Sequence, residues 1–134
     1  MTEEYTIHLV IDLKKTTSLE DIKNLLRDSA TNLNCQQEYF TYETEGMNNI
    51  ITKNNLIYVT EFNKLENLEK YIEFIRSISK VKIELLCNND KIIYMSRQYK
   101  KSLDNNIIDS KAIESTIEKY RKDNKYNHLY KLLY

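Results

Sequence analysis

Two histidines, His8 and His128, and two cysteines, Cys35 and Cys87, join the carboxylates as the groups in this 134-residue chain able to move protons or hold metal ions. His8 and Asp12 stand four residues apart in a segment with the alternation of a strand, so about 13 Å separates them and they cannot touch. Glu84 falls in a second alternating segment. If those strands are neighbours in the right register, His8 and Glu84 meet as a general-base pair, an imidazole oriented by a carboxylate. An ordinary exposed cross-strand pair satisfies the same spacing. We expect the ordinary pair, and no enzyme.

The remaining groups point away from metals and cofactors. His128 has no second His, Cys or carboxylate at ligand spacing, and Cys35 and Cys87 form no C-x-x-C pattern, so no zinc site is expected. Cys35 begins one predicted strand and Cys87 ends another well apart from it, which disfavours a disulfide. The chain has one glycine, Gly46, and no proline. A phosphate loop, a dinucleotide fingerprint and a nucleophile elbow all need several glycines for tight turns and close backbone approach. The expected cofactor set is therefore none.

A second constellation lies near the end of the chain. Lys119, Arg121, Lys122, Lys125 and Lys131 alternate with Tyr126 and Tyr130, a mixture that can bind nucleic acid by neutralising phosphate and stacking on bases. The same segment places Tyr126, Leu129, Tyr130 and Leu133 on one helical face, the pattern of a helix packed on its own domain. Formal net charge is zero, yet from Lys91 onward basic residues are twice as numerous as acidic ones. The basic end can dock on the acidic body as readily as on an outside polyanion.

The elements that position these groups follow a strand, helix, strand, strand, helix, strand rhythm. Tyr5 to Leu13 alternates, with Ile7, Leu9, Ile11 and Leu13 on one face. Thr17 or Ser18 caps a helix whose stripe is Leu19, Ile22, Leu25, Leu26, Ala30 and Leu33. Tyr39 to Glu45 reads as a strand, Gly46 with Asn48 and Asn49 as a bend, Asn54-Asn55 as a turn, and Leu56 to Phe62 as the next strand. Asn63 caps a second helix with Leu65, Leu68, Tyr71, Ile72, Ile75 and Ile78 facing inward. Val81 to Cys87 alternates with Val81, Ile83 and Leu85 on one face and Lys82 and Glu84 on the other. Lys91 to Tyr99 returns as its hairpin partner. Lys100 to Asn106 reads as a polar loop. Asp109 or Ser110 opens a third helix, with Ile108 and Ile113 at the spacing of a hydrophobic staple. A break near Lys122 to Asn124 divides it from the last stripe.

This rhythm predicts a ferredoxin-like βαββαβ α/β sandwich over residues 1–103, with an added edge-strand hairpin and a helical C-terminal extension over 104–134 packed on it. The expected strand order is fifth, fourth, first, third, second. Such a sheet leaves one face open, the face RNA-recognition domains use. Tyr58-Val59 fits their aromatic-Val position, but Leu56, Glu61 and His8 stand where stacking rings are needed. No apolar run approaches a membrane span, and Met1-Thr2-Glu3-Glu4 does not open a signal peptide, so a cytoplasmic protein with free thiols is expected. Heavy use of Lys, Asn, Ile and Tyr suggests an AT-rich genome. The leading functional expectation is a non-enzymatic interaction module that pairs with itself as a homodimer or with another protein through open sheet edges. The alternative is nucleic-acid binding through the basic terminal segment.

Overall fold

The computed structural model describes residues 3–12, 15, 18–33, 35–41, 56–105 and 107–134. The bend at Gly46, Asn48 and Asn49 and the turn at Asn54-Asn55 lie outside them. The elements are β1 (Tyr5–Ile11), α1 (Leu19–Asn32), β2 (Gln36–Thr41), β3 (Leu56–Phe62), α2 (Leu65–Arg76), β4 (Val81–Asn88), β5 (Lys91–Met95), α3 (Arg97–Asn105), α4 (Lys111–Arg121) and α5 (Asn127–Leu133), with a 3-10 turn over Asn124–Tyr126. The fold is mixed α/β. Its strands form one antiparallel sheet in the order β2-β3-β1-β4-β5. Among the described residues no helix is long and apolar enough to cross a membrane.

The period-2 pattern of β1 decides which side of the sheet carries the main core. Tyr5, Ile7, Leu9 and Ile11 point to one face, where they meet Ile22, Leu26 and Ala30 of α1 and Leu68, Tyr71, Ile72 and Ile75 of α2. Both helices bury one stripe and leave their charged faces in water, which is what their 3.6-residue spacing dictates. Tyr126, Leu129 and Tyr130 enter the same core from the end of the chain. Their burial is tied down by oxygen contacts: Tyr130 Oη donates to the Ile93 carbonyl over 2.6 Å, and Asn88 Nδ2 donates to Tyr126 Oη over 2.9 Å.

The opposite face is covered where β1, β3 and β4 run side by side. Val10, Val59 and Leu85 project to that side and pack against Tyr99 and Leu103 of α3, with Ile113 of α4 beside them. The segment expected as a loop over Lys100–Asn106 is therefore corrected to helix through Asn105, and the expected hairpin strand stops at Met95 rather than reaching Tyr99. The cause is local. Ser96 Oγ accepts the Tyr99 N–H over 3.1 Å and the Ser96 carbonyl accepts the Lys100 N–H over 3.0 Å, so Ser96 ends the strand by capping a helix. α3 crosses residue 103, the expected boundary between core and extension.

Other boundaries move by smaller amounts. β2 begins at Gln36, ahead of the expected Tyr39. The residue flanking α2 is Lys64, not Asn63, and Ser110 rather than Asp109 flanks α4. With Ser110 in that place the residue before the cap is Asp109, which moves Ile108, 42% exposed, out of the staple position. The two-helix ending takes the form of α4, the 3-10 turn and α5, with Asp123 Oδ1 accepting the Lys125 N–H over 3.0 Å at the break.

Candidate functional site: a cleft beside the open half of β4

Two irregularities in β4 and β5 build the site. β1 pairs His8 with Leu85 but Leu9 with Ile83, so Glu84 is an extra residue, a β-bulge. The bulge reverses the alternation. Val81 and Ile83 face the main core, Leu85 faces α3, and Leu86 returns to the main core. Leu85 thus lies on the face opposite to the one that simple alternation with Val81 and Ile83 predicts. The partner strand β5 is short. It pairs with β4 from Asn88 to Leu85, after which Ser96 donates its N–H to the Glu84 carbonyl over 2.8 Å and the chain leaves as α3.

Among the described residues the first half of β4 therefore has a strand neighbour on one side only. Asp12 donates its N–H to the Lys80 carbonyl over 2.8 Å, which makes that pair a hydrogen-bonded one. Hydrogen-bonded and non-bonded pairs alternate along an antiparallel ladder, so Val10–Lys82 is bonded while Val81 and Ile83 turn their backbone groups away from β1. The Val81 N–H is taken by the Ile78 carbonyl over 3.2 Å, as that direction requires. The Val81 carbonyl and both backbone groups of Ile83 face the side that β5 does not cover.

On that side lies a cleft of about 490 Å³. One wall is apolar and comes from Ile75 of α2, Ile78 in the turn after it, Tyr94 of β5, and Leu132 and Leu133 of α5. The other is polar and holds Glu84, Ser96 and Gln98, with Val10 between them. Arg76 and Lys82 stand at the rim, both exposed, and neither pairs with a carboxylate among the described residues.

Glu84 is the group in this cleft with unusual chemistry. It is 2% exposed and its Oε2 has no hydrogen-bond partner. Burial pushes its carboxyl up to about 8, so it holds a proton at neutral pH and can donate it in a hydrogen bond. Tyr99 lies close enough for the Glu84 charge to add to the burial that raises its phenol, and its Oη is also unpartnered. On the other side of the bulge, burial holds the His8 imidazole down at about 4. His8 Nδ1 has no partner either. The register brings His8 next to Glu84, but His8 Nδ1 and Glu84 Oε2 do not bond to each other, so the general-base pair is not assembled.

The terminal basic segment is arranged differently from a stacking site. Tyr126 and Tyr130 are buried in the main core. Lys119, Arg121, Lys122, Lys125 and Lys131 are exposed. Lys125 binds Glu3 over 2.7 Å, and Arg121 pairs with Glu118 over 3.9 Å while lying over the Tyr134 ring. The structure thus separates the cations from the two rings that the sequence interleaves with them. Tyr58 is likewise buried on the main-core face, the side opposite to Val59. His128 lies 3.7 Å from Glu73, and among the described residues no cluster could hold a metal ion. Cys35 and Cys87 are free thiols, each pushed up to about 11 by burial.

Sequence reasoning places Glu84 on a strand but misses the cleft. Ser96 followed by Tyr99 and Leu103 at helical spacing is the signal that would have shown β5 stopping early. No protein-family model matches the chain, and no curated protein shows significant similarity to it.

Proposed function

We propose that the chain is a non-enzymatic interaction module that takes an extended segment of a partner protein along the open half of β4. The outward-facing backbone groups of Val81 and Ile83 at the floor of a cleft carry this reading. Strand addition draws affinity from main-chain hydrogen bonds and specificity from pockets for alternate side chains. Here the two walls would receive alternate residues, one on the apolar side and the next on the polar side. The recessed position of this edge favours a single extended chain, because the same edge of a second copy is hemmed by the same walls. Self-association, on this reading, belongs to β2, which among the described residues pairs only with β3.

We read the βαββαβ run as a ferredoxin-like core of residues 1–103 carrying the extension of 104–134, in the cytoplasm with both thiols reduced. The strand order and the placement of α1 and α2 on one face support it. An NMR titration of the labelled protein with acetyl-Thr-Val-Thr-Val-Thr-amide tests the docking. The Ile83 amide should shift and gain protection from exchange while the amides of α4 stay in place. An unmoved Ile83 amide at saturating peptide would refute docking at this edge.

A further inference from the structure

We propose, resting on the strand-docking reading above, that the segment taken by the cleft is acidic and presents a carboxylate to Glu84, with Arg76 and Lys82 holding its charge at the rim. Three observations converge on this. Glu84 is 2% exposed and lines the cleft, and its Oε2 is without a partner. A buried polar atom left unpaired is costly, and a ligand group that pairs with it recovers that cost on binding. The rim cations carry no internal counter-charge among the described residues, so an anion entering the cleft meets two unpaired positive groups and a cation meets repulsion. Glu84 itself enters as a neutral acid, an O–H donor suited to an incoming carboxylate oxygen.

The groups around Glu84 do not compete with it between about pH 7 and 10. Burial holds His8 of β1 at about 4 and Cys87 of β4 at about 11, and it raises Tyr94 of β5 and Tyr99 of α3. Arg76, Arg97 and Lys82 supply the positive charge on the α2, α3 and β4 sides. An anionic ligand binds the protonated form of Glu84. Its affinity is therefore full between the acid range in which its own carboxylate protonates and about pH 8, and falls as pH rises above that, approaching tenfold per pH unit.

The test compares four probes by NMR titration of the full chain: acetyl-Thr-Val-Glu-Val-Thr-amide, its Gln and Lys analogues, and acetyl-Thr-Val-Thr-Val with a free terminal carboxylate. The Glu peptide or the free-acid peptide should bind about tenfold or more tighter than the Gln peptide, the worth of one charge-assisted hydrogen bond, and the Lys peptide weakest. Which of the two acidic probes binds best tells a side-chain carboxylate from a chain terminus. The fall in affinity above pH 8 should vanish in Glu84→Gln, whose amide still donates but does not ionise, and Lys82→Glu should weaken the acidic probes. Equal binding of the Glu and Gln peptides, with the Ile83 amide shifting for both, would overturn the acidic preference and leave strand docking standing. Tightest binding by the Lys peptide, growing with pH, would also overturn it. No shift at Ile83 with any probe would overturn both.

Discussion

Asn88 at the end of β4 donates from Nδ2 to Tyr126 Oη over 2.9 Å, and Tyr5 Oη lies 3.3 Å from the same oxygen. One phenol thus joins the first strand, the fourth strand and the turn before the last helix inside the main core. Tyr126→Phe keeps the ring and removes that oxygen, leaving the Asn88 amide buried with its Oδ1 already unpartnered. Stability should fall by about 1–3 kcal/mol, the cost of orphaning buried polar groups. Chemical denaturation reads it, and an unchanged midpoint would show that the network contributes nothing.

Loss of the terminal segment should be far more damaging. Tyr126, Leu129 and Tyr130 belong to the core that contains β1 and α2. Burying each contributes about 1.5–3 kcal/mol, against a total of about 5–15 kcal/mol for a domain. A chain ending at Leu103 should lose cooperative thermal unfolding and expose apolar surface to dye. A sharp transition in the shortened chain would mean that the sheet and its first two helices suffice.

Ile107 sits between α3 and α4 at φ 62°, a left-handed conformation that a β-branched residue resists. Its side chain is 96% exposed, so nothing is gained by packing it. The backbone has its own reason for the turn: the Ile108 N–H reaches the Leu103 carbonyl over 3.0 Å and closes the helix. Ile107→Gly should raise stability by about 0.5–1 kcal/mol, with Ile107→Asn less, because both relieve the clash at no cost in contacts. A melting temperature lowered by the glycine would count against strain at this position.

The sequence was informative where one period ran long enough to be read. The alternation of β1, most of the stripes of α1 and α2, and the Tyr126-Leu129-Tyr130 face mark buried positions from spacing alone, although Leu25, placed on the α1 stripe, is 43% exposed. α3 escapes because its inward face is two residues, Tyr99 and Leu103, in an otherwise polar run. A stripe that short is indistinguishable from a loop unless Ser96 is recognised as its cap. The bulge at Glu84 escapes for a different reason. Val81 to Leu85 alternate in type straight through it, and only the pairing with His8 and Leu9 shows that one residue is extra. The cleft depends on β5 ending at Met95 and on side chains from α2, α3 and α5, separations that no local pattern encodes.

Oligonucleotides should not bind the basic end at near-physiological salt. Tyr126 and Tyr130 are inside the core, and Lys125 and Arg121 already have carboxylate partners. What remains without a carboxylate partner among the described residues is Lys119, Lys122 and Lys131, too few phosphate contacts to survive salt. Fluorescence anisotropy with single- and double-stranded probes should stay flat at that salt. Binding that Lys119→Glu, Lys122→Glu and Lys131→Glu together abolish would restore this segment as a nucleic-acid surface.

Glu84 should make the protein less stable as pH rises. In the folded chain its carboxyl keeps a proton up to about 8, against an ordinary value of 4.5. Between those values the folded state binds the proton that the unfolded state has released, so stability falls through that window and levels off above it. His8 acts in the opposite sense: held neutral in the fold to about 4 from an ordinary 6.5, it costs stability as pH falls between those values. Single variants separate the two. Glu84→Gln should remove the decline on the alkaline side and leave the variant more stable than the parent at pH 8.5 by roughly 2–4 kcal/mol, with the two curves converging toward pH 5. His8→Asn should flatten only the acid limb. Parallel curves for Glu84→Gln and the parent from pH 5 to 8.5 would mean that Glu84 ionises as an ordinary carboxylate, and that it offers no proton to a ligand in the cleft.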